Sequence, residues 1–120
     1  MDFGIGTDIV KISRIEKALN NQKFINVLTS REKCIYERIN GCRKSEWLAG
    51  RFAAKEAVFK ALSKYTSMNI SDIEILESLN GAPSCKIDGF TIEISISHEK
   101  EYAIAFAIII KDNNSKIEQD

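Results

Sequence analysis

The feature that most constrains the fold is a change of period along the chain. Up to Lys64 apolar residues recur at helical spacing, and after Ser71 they alternate. Helices early and antiparallel strands late imply an α+β fold. The strongest helical segment runs from Lys44 to about Lys64. On a helical wheel Leu48, Phe52, Phe59 and Leu62 fall on one narrow stripe, with Ala49, Ala53 and Ala57 in a neighbouring lane. Glu56 and Lys60 stand within that lane, where a second backbone can approach closely. Lys55 falls inside the apolar stripe, a position suited to a side chain that snorkels.

The rest of the pattern is built around this helix. Phe3 to Ile12 reads as a strand, with Phe3, Ile5 and Ile9 alternating with Gly4, Gly6, Asp8 and Val10. Ser13 and Glu16 form a capping-box pattern for a helix from Arg14 to about Asn21. Phe24 to Leu28 is a short helical piece. Thr29 or Ser30 caps a helix from Arg31 to about Ile39, which Asn40-Gly41 ends. Strands are expected at Ile73 to Leu79 and Cys85 to Ile87, on either side of the turn Asn80-Gly81-Ala82-Pro83. Phe90 to Ser97 and Tyr102 to Ile110 form a hairpin around His98-Glu99-Lys100-Glu101.

A chain of 120 residues makes one domain, 1–120, with a frayed polar tail over 112–120. The longest apolar run, Ala103 to Ile110, is far short of the roughly 20 residues that span a bilayer. Residues 1–8 lack the apolar stretch of a signal peptide. Cys34, Cys42 and Cys85 are odd in number and lack metal-ligand spacing, which points to a cytoplasmic protein with reduced thiols. The 17 basic and 17 acidic residues cancel overall but not locally. Residues 1–64 carry 13 Lys/Arg against 7 Asp/Glu, and residues 65–120 carry 4 against 10. The basic half either meets an acidic or phosphorylated partner or attracts the acidic half of its own fold. Nucleic acid is disfavoured, because no binding motif is present and aromatics are not interleaved with the basic residues on a strand platform.

Asp8 is a poor strand former in mid-strand. It is either a hard-metal ligand on a rigid element or an Asp bonding its own backbone at a bulge. Glu56 and Lys60 are either a surface pair one turn apart, or a metal ligand and a phosphate-binding point charge. His98, the single histidine, is either a solvated turn residue or a group for phosphate hydrogen bonding or proton transfer. Arg14, Lys17 and Lys23, with Phe24 and Ile25 among them, form either a solvated basic face or a docking strip for an acidic helix.

Three segments together carry more than these separate signals. They are Gly4-Ile-Gly-Thr-Asp-Ile-Val-Lys-Ile-Ser-Arg-Ile-Glu16, Trp47-Leu-Ala-Gly-Arg-Phe-Ala-Ala-Lys-Glu-Ala57 and Ser95-Ile-Ser-His-Glu-Lys-Glu-Tyr-Ala-Ile-Ala105. In this order they resemble the small bacterial holo-[acyl-carrier-protein] synthases, and Asn80-Gly-Ala-Pro83 fits too. The resemblance implies transfer of 4′-phosphopantetheine from coenzyme A to a serine of acyl carrier protein. Adenosine 3′,5′-bisphosphate is the other product, and the reaction serves fatty acid biosynthesis. It implies magnesium held by Asp8 and Glu56, with Lys60 near the transferred phosphate. It implies coenzyme A contacts from Lys44, Arg51, Lys60 and His98. Asp8, Glu56, Lys60 and His98 are then the catalytic set, and Arg14 is the docking residue, with Lys17, Lys23 and Phe24 beside it. The base for the carrier serine is either Glu56 itself or a metal-bound water. The family's fold is a compact α+β unit that assembles as a homotrimer with sites between subunits.

This chain departs from the family pattern after Leu62. Ser63-Lys-Tyr-Thr-Ser67 replaces a glycine-rich stretch, which implies a longer helix and an altered loop. Two rival functions remain at this level. One is a non-catalytic module that binds an acidic protein. The other is a phosphotransferase with a different nucleotide, separable by competition between coenzyme A and ATP.

Overall fold

The computed structural model describes residues 2–19 and 22–113, without the side chains of residues 22–24. Three long strands form an antiparallel sheet: β1 (Phe3–Lys11), β4 (Phe90–His98) and β5 (Tyr102–Lys111). The order is β1-β5-β4, so the strand latest in sequence lies at the centre. Between β1 and β4 come α1 (Ile12–Ala18), α2 (Ser30–Arg38), α3 (Arg43–Leu62) and a two-stranded ribbon, β2 (Leu76–Glu77) with β3 (Pro83–Ser84). The α+β expectation and the β4–β5 hairpin hold. The two middle strands are shorter than the alternation suggested, and the second lies at Pro83–Ser84, just before Cys85.

One face of the sheet is covered by α3. The contact is close because β1 presents glycine where α3 presents alanine. A Cβ on Gly4 would overlap the Ala61 carbonyl oxygen, and one on Gly6 would overlap the Ala57 carbonyl oxygen. Opposite Ala57 and Ala61, β5 contributes buried Ala103, Ala105, Ala107 and Ile109. The close approach expected along the alanine lane is therefore made by β1. It also reverses the simplest reading of β1. Gly4, Gly6 and Val10 are its buried side, and Phe3, Ile5 and Ile9 lie on the open face of the sheet. There they neighbour Ile110, Ile108 and Ile104 across the strands, and Tyr102 and Phe106 extend the same face.

The same core also holds larger residues. Leu48, Val58 and Leu62 are fully buried, as are Ile73 and Ile75 of the following loop. Phe52 and Phe59 of the expected stripe are only half-buried. Lys55 does not snorkel. It is completely buried, with Nζ 2.6 Å from the equally buried Glu32 Oε1. The same ammonium donates to the carbonyls of Val27 at 2.8 Å and Ile73 at 2.7 Å. Glu32 also accepts from the backbone N–H of Thr29 and Ile75. Each N–H of the ammonium thus has an acceptor nearby, which offsets the cost of burying it.

Local capping follows the sequence in one helix and not in another. Thr29 caps α2 in a capping box with Glu32. The pattern Ser13-Glu16 is not used. α1 starts two residues earlier than expected, with Lys11 at its N-cap and no side-chain cap, and Ile12 N–H bonds the Glu101 carbonyl instead. α1 runs to Ala18, and the expected end near Asn21 falls on residues outside those described. α3 ends at Leu62 rather than Lys64. Ser63 keeps a right-handed conformation, φ −58°, and its Oγ donates to the Lys60 carbonyl. Serine thus serves at this helix end without the backbone freedom of glycine.

Candidate active site

The Gly–Ala contact sets the position of the most reactive group of side chains. Asp8 lies on the same side of β1 as Gly4 and Gly6, one step further along. The β1–β5 register runs through Asp8 opposite Ala105 without interruption, so no bulge accounts for the aspartate. Across from it, α3 brings Glu56 and Lys60. Lys60 Nζ donates to Asp8 Oδ1 at 3.2 Å and to the Thr7 carbonyl at 3.0 Å. Lys60 thus bridges from the helix to the strand instead of forming the surface pair with Glu56 one turn away.

Asp8, Glu56 and Lys60 line one cavity of about 400 Å³, with Arg14 and Phe52 on its walls. Its electrostatics are unbalanced. Burial, and then the nearby Asp8 carboxylate, push the Glu56 carboxyl above its ordinary value, with Lys60 opposing. Two carboxylates on one cleft suit a hard cation. Magnesium typically takes one or two protein carboxylates and completes its shell with water and phosphate oxygens. Among the described residues no group of three or more His, Cys, Asp or Glu forms a self-sufficient metal cage.

A second cavity, of about 270 Å³, lies at the other end of α3. Arg51 and His98 line it together with Arg43, Glu46, Trp47, Glu77 and the Gly81–Pro83 turn. His98 is the last residue of β4, opposite Ala103, rather than part of the turn. Arg51 is buried against the Trp47 ring, 4.7 Å from its centroid, and pairs with Glu77 at 3.3 Å. Burial pulls the Arg51 guanidinium below its ordinary value, and Glu77 and Glu32 oppose this. Lys44 points elsewhere, with Nζ 4.3 Å from the centroid of the Tyr36 ring.

The predicted residues therefore fall into two groups on one chain. Asp8, Glu56, Lys60 and Arg14 come together, and Arg51 and His98 come together, but the two groups line separate cavities. Lys17 is exposed on α1. Lys23 and Phe24 have their backbone in the 3-10 segment Gln22–Val27, and their side chains lie outside the described ones. Arg43 and Glu77 escaped the sequence reading. Arg43 sits at the first position of α3 beside the singled-out Lys44, so the basic pair was the available signal.

Comparisons with known proteins identify the family. The model of the 4′-phosphopantetheinyl transferase superfamily matches residues 4–107. A holo-[acyl-carrier-protein] synthase of Geobacillus sp. (strain WCH70) is 47% identical over 115 residues, covering 91% of this chain and 97% of the relative. That of Geobacillus kaustophilus is 44% identical, over 91% of this chain and 89% of the relative. Among solved structures, the holo-(acyl-carrier-protein) synthase of Bacillus anthracis str. Ames in complex with CoA (3′,5′-ADP) superposes with a TM-score of 0.82. It is 36% identical, over 91% of this chain and 96% of that one. The fold and its match to the superfamily define a phosphopantetheinyl transferase. Within that class, the chain belongs to the holo-[acyl-carrier-protein] synthase family.

Proposed function

We propose that this enzyme transfers 4′-phosphopantetheine from coenzyme A to a serine of apo acyl carrier protein, releases adenosine 3′,5′-bisphosphate, depends on magnesium and serves fatty acid biosynthesis in the cytoplasm. The observation that carries this reading is the cleft in which Asp8, Glu56 and Lys60 converge from two elements locked by the Gly6–Ala57 contact. Asp8 and Glu56 would hold the metal, which when bound supplies positive charge to the pyrophosphate oxygens. Lys60 offsets negative charge that develops on the transferred phosphate. Its hydrogen bonds to Asp8 and the Thr7 carbonyl hold the ammonium at the cleft in advance of substrate. The serine proton would be taken up in the same cleft, where Glu56 stands. Arg51 and His98, with Lys44 farther along α3, are assigned to the phosphates of coenzyme A. The acidic carrier meets Arg14 and Lys17, with Lys23 and Phe24 next in sequence.

The separation of the two cavities goes with a homotrimer whose sites lie between subunits. The open face of the sheet supports association, because Ile5, Ile9, Ile104 and Phe106 lie exposed and contiguous there. Sedimentation at several concentrations checks the oligomer.

The decisive test is intact-mass spectrometry of apo acyl carrier protein incubated with the enzyme, coenzyme A and magnesium. A gain of roughly 340 Da, one phosphopantetheine arm, abolished by EDTA, is expected. No gain with a folded enzyme and several carriers overturns the reading.

A further inference from the structure

Arg51 is paired with a carboxylate that lines the same cavity. Its side chain is only 6% exposed, whereas that of its partner Glu77 is 54% exposed. Of the guanidinium's five N–H donors, the contact with Glu77 uses Nη2, at 3.3 Å. Nε is buried and has no hydrogen-bond partner among the described residues. Trp47 lies against the guanidinium, and Arg51 is among the residues that line the cavity. Glu77 stands on the short ribbon, opposite Pro83, and can swing into solvent without disturbing the core.

We propose that Glu77 is a built-in competitor for the anion site at Arg51, weakening the hold on coenzyme A and on the bisphosphate product alike. This rests on the assignment of Arg51 to a coenzyme A phosphate. The chemistry is substitution of one oxyanion for another. A ligand phosphate offers several oxygens where Glu77 supplies one, and the two negative groups repel if both remain. A phosphate on the remaining N–H groups brings its charge beside the Glu77 carboxylate, so the gain at Arg51 is reduced by that repulsion or by the loss of the Glu77 contact. A site of this kind binds its ligand less tightly and releases product more readily than one with an unopposed arginine. Glu46 also lines the cavity, but the carboxylate in contact with Arg51 is that of Glu77.

The test is calorimetric titration of wild type and Glu77→Gln with coenzyme A and with adenosine 3′,5′-bisphosphate. Inorganic pyrophosphate in EDTA serves as a probe that does not depend on the coenzyme A assignment. Glu77→Gln removes the charge and keeps the shape. Its Kd for both nucleotides should fall about threefold to fivefold, the scale of a partly exposed ion pair. An unchanged Kd overturns the proposal, and so does a raised Kd, which would make Glu77 a positioning residue for Arg51. If coenzyme A binds neither protein, the assignment of the substrate fails, and pyrophosphate decides the competitor role by itself. Tighter pyrophosphate binding in Glu77→Gln sustains that role, and equal or absent binding overturns it.

Discussion

Lys55 and Glu56 are consecutive charged residues of α3, yet their surroundings differ completely. Lys55 is sealed from solvent and meets one carboxylate and two close carbonyls. Glu56 opens onto a cleft, shares it with a like charge and has its carboxyl pushed upward. One charge is fully matched and ties α2, α3 and the loop before β2 together. The other is incompletely matched, and a group left in that condition is available to a ligand or a proton. Their places one residue apart mean that the anchor and the reactive group share one rigid piece of helix.

Breaking the anchor should have the largest effect. Lys55→Ala leaves Glu32 buried without its cation and should cost about 3–5 kcal/mol in urea unfolding. A loss below about 1 kcal/mol would mean that the Thr29 and Ile75 N–H groups satisfy Glu32 without help. On the reactive side, Asp8→Asn should slow carrier modification about 10²–10³-fold, the scale of losing one electrostatic contact to a transition state. Stability should barely move, and single-turnover mass spectrometry together with urea titration separates the two effects. If Asp8→Asn unfolds the protein instead, the division between anchor and reactive group fails.

Gly6→Ala probes the spacing that brings the groups together. The added methyl meets backbone rather than a flexible side chain, and a cost of about 1–3 kcal/mol is expected with a parallel loss of transfer. The smallest effect concerns Glu56 and depends on pH. A carboxyl raised in the native state binds its proton more tightly there than in the unfolded chain. Its contribution to stability is fully present below the ordinary carboxylate value and is lost as pH rises through the native value. Glu56→Gln should therefore match wild type in acid and melt slightly higher at neutral pH. Solvent access to the cleft keeps the gain to roughly a few tenths of a kcal/mol. Equal melting curves at both pH values would show a better-solvated Glu56 than burial implies.

Local signals in the sequence were sufficient for much of this structure. The switch of period located α3, β4 and β5 to within a few residues, and Asp8 stood out because aspartate is out of place in a strand. Which side of β1 faces inward was not legible, because isoleucine usually marks the buried side. Here α3 comes so near that only glycine fits, and the isoleucines are turned to the other face. The burial of Lys55 was hidden for a different reason. Its partner Glu32 is remote in sequence, and Glu32 taken alone reads as the second half of a capping box, which it also is. Likewise nothing in the sequence near Glu77 points to Arg51, because the ribbon turn brings them together only in the fold.

The pairing of β1 with β5 has a consequence for synthesis. β1 is made before β5, its hydrogen-bonding neighbour, which follows about 90 residues later, roughly 5–20 s at ordinary translation rates. Through that interval Phe3, Ile5 and Ile9 have no strand beside them, and α3 can screen only the glycine side. The nascent chain thus leaves both edges of β1 unpaired until β5 covers one of them, and its yield in cells should depend on how quickly that pairing is made or chaperoned.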